Sequence, residues 1–88
     1  MLRSDIYPKA QKFLLKIPAK HAKQLIKKIE LLQINPEPQD SKLVHGYNCL
    51  RADSGEYRII YQFDEKVLTV ILIGKRNDDE VYRKLKQQ

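Results

Sequence analysis

Two arginines lie where a predicted β-hairpin would bring them onto the same face of a sheet. Arg51 precedes a turn sequence and Arg58 follows it. If Ser54-Gly55 forms a two-residue turn, or if residues 53–56 form a four-residue loop, Arg51 lies directly opposite Arg58. Like charges placed opposite each other destabilise a sheet, whereas two fork-shaped guanidinium groups bind a phosphate well. The pattern therefore indicates an anion site, and two arginines that point into water are the alternative interpretation.

A third arginine and a tyrosine follow the last predicted strand. Lys75 and Arg76 come directly after that strand, at the mouth of the same face, and Tyr82 follows on a predicted terminal helix. Arg76 therefore adds a third cation to the predicted anion site. Packing is the usual role of a single tyrosine beside core positions such as Val81 and Leu85.

The other residues that could do chemistry have simpler interpretations. His21 lies on a basic helix and His45 lies in a loop, and we expect both to be solvated. Cys49 shares a face with Arg51 but has no base near it in sequence, which predicts a structural thiol. Cysteines and histidines do not cluster at the spacing of a zinc site. We therefore expect neither a metal nor another cofactor.

The excess positive charge lies in the first part of the chain. The formal net charge is +6, and residues 1–35 contain 8 Lys and Arg against 2 Asp and Glu, whereas residues 36–88 contain 9 of each. A basic segment of this kind attracts polyanions regardless of their sequence, because binding releases counterions. A solvated helical face is the alternative interpretation of the charge alone.

Two amphipathic helices are predicted before the strands. Pro8 suits the first turn of a helix that ends before Pro18, and a second helix starts near Pro18 or Ala19. The sequence Asn-Pro-Glu-Pro at residues 35–38 ends the second helix. Both helices carry apolar residues at spacings of three and four, which predicts a helical hairpin with one buried face. These residues are Ala10, Phe13, Leu14 and Ile17 in the first helix, and Ala22, Leu25, Ile26, Ile29 and Leu32 in the second.

Three strands are predicted in the second half of the chain, at residues 47–52, 56–63 and 67–73. The last of these is apolar throughout and is expected to be central. In the middle strand, Tyr57, Ile59 and Tyr61 alternate with Arg58 and Ile60. This alternation predicts a core face and a polar face, with Ile60 exposed on the polar face.

A short terminal helix is predicted from about Asp78 to the end of the chain. Asn77 and Glu80 have the spacing of a capping box. Asp78 and Asp79 are expected to interact favourably with the helix dipole rather than to bind a metal. Val81 and Leu85 are expected to pack inward.

These elements, together with an edge strand predicted at residues 2–7, follow the order β-α-α-β-β-β-α. They predict an α+β fold with a small antiparallel sheet, an N-terminal helical hairpin and a short C-terminal helix. The 88 residues are expected to form a single domain, residues 1–88. One cysteine, the absence of a signal-peptide pattern and short apolar stretches predict a cytoplasmic protein that does not enter a membrane.

The sequence resembles the RelE branch of the RelE/ParE toxin superfamily. The resemblance rests on GEYRIIYQFD followed by VLTVILIGKRNDDEVYR, with SKLVHG and PKAQKFLLKI as supporting segments. The resemblance covers essentially the whole chain. Its most specific part is the combination of YR-x-x-Y at residues 57–61 with GKR at residues 74–76 and VY at residues 81–82. The resemblance implies a RelE-like fold and a toxin of a type II toxin–antitoxin system. It also implies a ribosome-dependent endoribonuclease that cleaves mRNA in the decoding site.

The same resemblance implies how the residues would act. In RelE-like enzymes the RNA 2′-hydroxyl attacks the adjacent phosphate without a metal and leaves a 2′,3′-cyclic end. Arg58 would hold the phosphate and stabilise the developing charge, and Tyr82 would be the base. Arg76 would contact the phosphate or assist departure of the 5′-oxygen. Arg51 occupies a position that is a lysine in RelE, and it keeps the positive charge.

Cys49 is the departure from the family pattern, because a second catalytic lysine is expected in that strand. Two alternatives to a ribonuclease stay open. One is a ParE-like toxin that poisons DNA gyrase without cutting RNA, although such chains generally lack the set formed by Arg58, Arg76 and Tyr82. The other is a module that binds RNA or an antitoxin with weakened catalysis.

The implied partners are a cognate antitoxin, the ribosome and mRNA. Exposed apolar residues such as Ile60 would help an acidic or amphipathic antitoxin segment to cover the polar face. The lysine-rich helices suit a docking surface for ribosomal RNA. The lysines that we expect to contact RNA or the ribosome are Lys16, Lys20, Lys23, Lys27 and Lys75.

Overall fold

A five-stranded sheet with helices on both faces makes up the part of the chain that the computed structural model describes, which is residues 1–78 and 80–87. Within that part, no helix is both long and apolar enough to cross a membrane. The strands lie in the order β1-β5-β4-β3-β2. The elements are β1 (Arg3–Ile6), α1 (Pro8–Lys16), α2 (Ala19–Ile34), β2 (Lys42–Leu43), β3 (Leu50–Ser54), β4 (Tyr57–Phe63), β5 (Val67–Lys75), a 3-10 turn (Arg76–Asp78) and α3 (Glu80–Lys86).

The predicted helical hairpin is confirmed. Helix α1 begins at Pro8, and Ile17 has an extended backbone that separates it from α2. Helix α2 ends just before the prolines that were expected to stop it. Each helix buries part of its predicted apolar stripe, including Ala10 in α1 and Leu25 and Ile29 in α2. The hairpin therefore covers one face of the sheet with residues that the helical spacing had identified.

The sheet is mixed rather than purely antiparallel. Strands β2 to β5 pair antiparallel, but the edge strand β1 pairs parallel with β5, with Arg3 opposite Val67. A tight hairpin forces its two strands to run antiparallel, whereas a strand that enters the sheet through helices can take either direction. The helices α1 and α2 follow β1, so the sequence pattern left its direction open. Strand β5 has a neighbouring strand on each side, as its apolar sequence predicts, and β4 is the middle strand of the five.

The β3–β4 hairpin turns one residue later than predicted, at Gly55 and Glu56. Gly55 has a φ of +58°, the left-handed conformation that a two-residue turn needs at its first position. Arg58 consequently lies opposite Asp53, and Arg51 lies opposite Ile60, so the predicted pairing of Arg51 with Arg58 is wrong. Because the partner of Arg51 moves by two residues, each side chain keeps its predicted face. The two arginines still share one face of the sheet.

Both faces of the sheet are buried at its centre. One apolar cluster lies under α1 and α2 and includes Tyr57, Ile59 and Tyr61, the predicted core face of β4. A second cluster on the other face joins Ile60 and Leu72 to residues of α3. Ile60 is 0% exposed, so its predicted exposure is wrong, because α3 covers this part of the polar face. Ile60 cannot contribute to a partner surface.

Helix α3 lies against the end of β5, and its two predicted inward residues, Val81 and Leu85, are buried. The close approach depends on Gly74, where an added Cβ would lie 2.8 Å from the Cγ1 atom of Val81. Asn77 lies within the 3-10 turn and α3 begins at Glu80, so Asn77 is not the residue that caps the helix. Asp79 and the side chain of Asp78, both expected to interact with the helix dipole, lie outside the described residues.

Candidate active site

Tyr82 lies where two arginines reach its phenol oxygen. The burial of Val81 and Leu85 turns the half-buried side chain of Tyr82 toward the β3–β4 hairpin. Arg51 Nη1 donates a hydrogen bond of 3.1 Å to the phenol oxygen, and Arg58 Nη1 donates one of 2.9 Å. The guanidinium carbon of Arg58 also lies 5.7 Å from the centre of the Tyr82 ring. Strands β3 and β4 and helix α3 thus place two guanidinium groups within hydrogen-bond distance of the same phenol oxygen.

Asp53 holds the other edge of the Arg58 guanidinium. Arg58 Nε donates to Asp53 Oδ1 at 2.7 Å, and Arg58 Nη2 donates to Asp53 Oδ2 at 3.2 Å. These hydrogen bonds hold the pKa of the Asp53 carboxyl below its ordinary value and raise the pKa of Arg58 above its own. Arg76 Nη1 lies 4.0 Å from the same Oδ2 atom. Asp53 therefore links Arg58 to Arg76.

The structure brings three of the four predicted catalytic residues into direct contact, namely Arg51, Arg58 and Tyr82. Arg76 joins them through Asp53, with 49% of its side chain exposed. Its backbone N–H donates to the carbonyl oxygen of Glu56, which holds the segment after β5 next to the hairpin turn. The three arginines Arg51, Arg58 and Arg76 are called the arginine cluster below.

The five lysines that were expected to contact RNA or the ribosome are exposed. Lys20, Lys23 and Lys27 have spacings of three and four residues on α2, so they share one face of that helix. Lys16 is the last residue of α1, on the other side of the break at Pro18. Lys75 ends β5 beside the arginine cluster.

An open cleft of about 430 Å³ adjoins Tyr82. Its walls combine cations of the cluster with apolar and aromatic side chains, of which Leu43 is 77% exposed and Tyr47 is 41% exposed. His45 is exposed there, as predicted. The lining residues are Leu43, Val44, His45, Tyr47, Arg51, Arg58, Tyr82 and Lys86.

Asp53 is a site residue that the sequence pattern did not indicate, because it lies at the edge of the predicted turn. The position of Gly55 in the sequence could have indicated the role of Asp53. If Gly55 is the first residue of a two-residue turn with Glu56, Asp53 pairs with Arg58 across the hairpin. Four of the residues that line the cleft were also not indicated, namely Leu43, Val44, Tyr47 and Lys86. Val44 and Tyr47 come from the irregular segment between β2 and β3, which carries no periodic pattern.

Cys49 is a buried packing residue, as predicted. It is 4% exposed and lies in the apolar cluster with Val44 and Ile60. Burial raises the pKa of its thiol, because desolvation disfavours the thiolate. Cys49 is therefore unsuited to act as a nucleophile.

His21 is not solvated, contrary to the prediction. It is half-buried, and its Nδ1 atom shares a hydrogen bond of 2.7 Å with the hydroxyl of Tyr57. The two rings meet edge to face with their centres 5.5 Å apart. The helix α2 lies over the β3–β4 hairpin, and this tertiary contact gives His21 a structural partner that its position among lysines did not indicate.

Among residues 1–78 and 80–87, no three acidic, histidine or cysteine side chains converge as they would around a metal ion. Glu80 lies in the first turn of α3, where a negative charge is favourable. Lys84 donates to it at 2.8 Å and lowers the pKa of its carboxyl. Glu80 is thus accounted for by the helix in which it lies.

Similarity to known proteins agrees with this arrangement. Residues 5–80 match a family described as the ParE toxin of the type II toxin–antitoxin system parDE. No curated protein sequence matches the chain. Three solved structures illustrate the structural similarity.

The free form of an E. coli RelE toxin carrying two arginine-to-alanine substitutions is 31% identical, with a TM-score of 0.80 over 98% of this chain and 96% of that one. The toxin of the intact E. coli RelBE complex is 30% identical, with a TM-score of 0.73 over 85% and 96% of the two chains. The archaeal RelE–RelB complex from Pyrococcus horikoshii OT3 matches at 25% identity and a TM-score of 0.74 over 88% and 97%. The chain therefore belongs to the RelE/ParE family of type II toxin–antitoxin toxins, as a RelE-like member.

Proposed function

We propose that this RelE-like toxin is an endoribonuclease that cleaves mRNA on the ribosome. The observation that carries the proposal is the phenol oxygen of Tyr82, which accepts hydrogen bonds from Arg51 at 3.1 Å and Arg58 at 2.9 Å. These hydrogen bonds place the phenol oxygen next to cations that suit a phosphodiester. The phenol oxygen is therefore in a position to act as a general base.

In the proposed reaction, Tyr82 takes the proton from the 2′-hydroxyl of the RNA. The 2′-oxygen then forms a bond to the adjacent phosphorus, and the bond from phosphorus to the 5′-oxygen breaks. The products are a 2′,3′-cyclic phosphate and a 5′-hydroxyl, whose proton comes from water because arginine is a poor acid. The arginine cluster stabilises the extra negative charge of the phosphorane, which is usually the larger catalytic contribution.

The cleft beside Tyr82 suits the nucleotides on either side of that phosphate. Its cations face a backbone phosphate, while the exposed parts of Leu43 and Tyr47 offer apolar surface next to it. Proteins that bind unpaired RNA stack its bases on aromatic side chains. The cleft is open to solvent, so an RNA strand rather than a mononucleotide is the fitting substrate.

We further propose two kinds of partner. The exposed lysines of α1 and α2 dock the protein on ribosomal RNA, since a basic surface binds polyanions without reading their sequence. A cognate antitoxin neutralises the toxin, because the similar E. coli and P. horikoshii RelE chains were solved in complex with RelB. If a purified complex with the antitoxin kept full cleavage and ribosome binding, this part of the proposal would be wrong.

A cell-free translation reaction tests the proposed activity. Purified protein is added to ribosomes that translate a defined mRNA, and the mRNA 5′ ends are mapped. The expected result is new 5′-hydroxyl ends within codons, formed only when ribosomes are present. The family description as a ParE toxin favours gyrase as the second candidate target. Loss of supercoiling by purified gyrase, with the mRNA intact, would identify that alternative instead.

A further inference from the structure

An acidic side chain lies inside the arginine cluster, in a place where it opposes the binding of a phosphate. Asp53 is 38% exposed and forms its ion pair with Arg58, whose side chain is 14% exposed. A negative charge next to a phosphate site weakens anion binding. Its presence therefore calls for a role other than holding the RNA.

The geometry of the ion pair indicates that role. Asp53 accepts two hydrogen bonds from one edge of the guanidinium, through Nε and Nη2, and the remaining terminal nitrogen of Arg58 donates to Tyr82. A bidentate pair fixes the plane of the guanidinium as well as its position. With that edge held, Arg58 has only one orientation in which Nη1 reaches the phenol oxygen.

Asp53 also connects the two ends of the cluster. Its Oδ2 atom accepts from Arg58 Nη2 and lies 4.0 Å from Arg76 Nη1. Asp53 occupies this place because it is the cross-strand partner of Arg58 on the same sheet face. The carboxylate thus lies between Arg58, which contacts Tyr82, and Arg76, which is half-exposed to solvent.

We propose that Asp53 is a positioning residue of the active site, which orients Arg58 for the reaction while contributing nothing to the affinity for RNA. The inference rests on the proposed ribonuclease function. It predicts that removing the carboxylate slows the chemical step, since misplacing a catalytic group by about 1 Å can lower a rate by about 100-fold. The affinity for RNA should stay the same or increase, because one negative charge is lost.

The kinetic test uses Asp53→Asn in the ribosome-dependent cleavage reaction. Asparagine has nearly the same size, but its NH2 group would face the N–H of Arg58 Nη2 and lose that hydrogen bond. We expect kcat to fall by about 10- to 100-fold with KM unchanged or lower, and Asp53→Glu to recover part of kcat. Wild-type kinetics for Asp53→Asn, or a loss confined to KM, would overturn the proposal.

Asp64→Asn is the matched control for charge. Asp64 lies beyond the other end of β4, where its Oδ1 atom accepts from the backbone N–H groups of Lys66 and Val67. An asparagine oxygen can keep those hydrogen bonds, so this variant removes one negative charge away from the arginine cluster. We expect its kcat and KM to match the wild type. An equal fall in kcat for both variants would show a general charge effect and overturn the proposal.

A second measurement separates the inference from the proposed function. The Nε–H of Arg58 should exchange slowly with solvent in the wild type, and its NMR signal is identified by its loss in Arg58→Lys. We expect Asp53→Asn to speed that exchange at least about tenfold, because its hydrogen bond weakens. If the wild type cleaves no RNA, the proposed function fails, and this exchange rate alone decides: faster exchange supports positioning of Arg58 by Asp53, and unchanged exchange overturns it.

Discussion

At the scale of single residues, the candidate site is built around the oxygen atom of Tyr82. Arg51 comes from β3, Arg58 from β4 and Tyr82 from α3, and the two hydrogen bonds that join them are 3.1 and 2.9 Å long. Hydrogen bonds from charged donors are about twice as strong as neutral ones. These contacts suit the phenol of Tyr82 to chemistry, whereas Val81 and Leu85 on the same helix only pack in the apolar cluster.

Tyr82→Phe removes only the phenol oxygen, so folding should survive the substitution. If Tyr82 is the general base, cleavage of mRNA should fall on the order of 10²- to 10⁴-fold, the range for losing general base assistance. Binding to the ribosome should change little. The measurement is single-turnover cleavage on programmed ribosomes, together with a binding titration.

Tyr47→Phe is the matched control, because Tyr47 lines the same cleft and loses the same atom. We expect it to cleave mRNA at nearly the wild-type rate. Wild-type cleavage by Tyr82→Phe would make Tyr82 a packing residue. His45, which is exposed in the same cleft, would then be the next candidate for the base.

Cys49→Lys tests the one departure from the family pattern. A lysine would restore the cation expected in that strand, but Cys49 is 4% exposed among apolar side chains. Burying an unpaired ammonium is costly, so we expect the free energy of unfolding to fall by more than about 2 kcal/mol. Urea unfolding measures the change, and Asn48→Lys at the exposed neighbouring position should be nearly neutral. A stable Cys49→Lys protein that cleaves faster would contradict this expectation and show that the lysine reaches the site.

At the scale of elements, the position of Tyr82 depends on how closely α3 lies against β5. Gly74 pairs with Arg58 across the sheet and faces Val81 on the helix. One residue thus controls the distance between the strand that carries Arg58 and the helix that carries Tyr82. Packing of α3 and chemistry at the phenol are therefore coupled through a single backbone position.

Gly74→Ala should disturb both the packing of α3 and the cleavage activity. Its Cβ would lie 2.8 Å from Val81 Cγ1 and 3.5 Å from the backbone nitrogen of Val81, so α3 must shift outward. We expect a loss of about 1–3 kcal/mol in the free energy of unfolding, and a fall in cleavage larger than that loss explains. Denaturant unfolding and the cleavage assay measure the two effects. Val81→Ala added to Gly74→Ala should restore part of the activity by removing the clashing methyl group, and failure of that rescue would argue against this coupling.

Across the whole protein, the positive charges form two groups, one in the N-terminal helices and one in the arginine cluster, and we infer a different function for each. The net charge of +6 comes entirely from residues 1–35, which form β1, α1 and α2. The arginine cluster belongs to the second half of the chain, where positive and negative charges balance. We infer that the helices supply general attraction to RNA, while the sheet and α3 supply the local charge for chemistry.

Replacing Lys16, Lys20, Lys23 and Lys27 by glutamine should weaken binding to the ribosome and flatten its salt dependence. Each lost phosphate contact lowers the slope of log Kd against log salt by roughly 0.7–0.9, so the full change is at most about 3–4. Binding titrations at several salt concentrations measure this slope. The matched control replaces Arg3, Lys42, Lys66 and Arg83, which are exposed, lie outside α1 and α2 and remove the same charge. Equal slopes for both variants would show that the α1–α2 lysines form no specific docking face.

Local sequence patterns were enough to predict the features that depend on neighbours along the chain. Helical spacing and prolines fixed α1 and α2, and period-two alternation assigned Tyr57, Ile59 and Tyr61 to the core and Arg51 and Arg58 to one shared face. The motif around Arg58, Arg76 and Tyr82 indicated the family. These features survived an error in the hairpin turn, because a shift of two residues in pairing leaves every side chain on its own face.

The contacts between residues depend instead on how the separate elements pack. The left-handed Gly55 set the turn, and the turn made Asp53 rather than Arg51 the partner of Arg58. The approach of α3 buried Ile60 and carried Tyr82 to the two arginines. Local patterns record the face on which a side chain lies, but contacts between separate elements depend on strand register, strand direction and close approach. These are properties of the packed chain, in which one backbone angle or one absent Cβ moves whole elements.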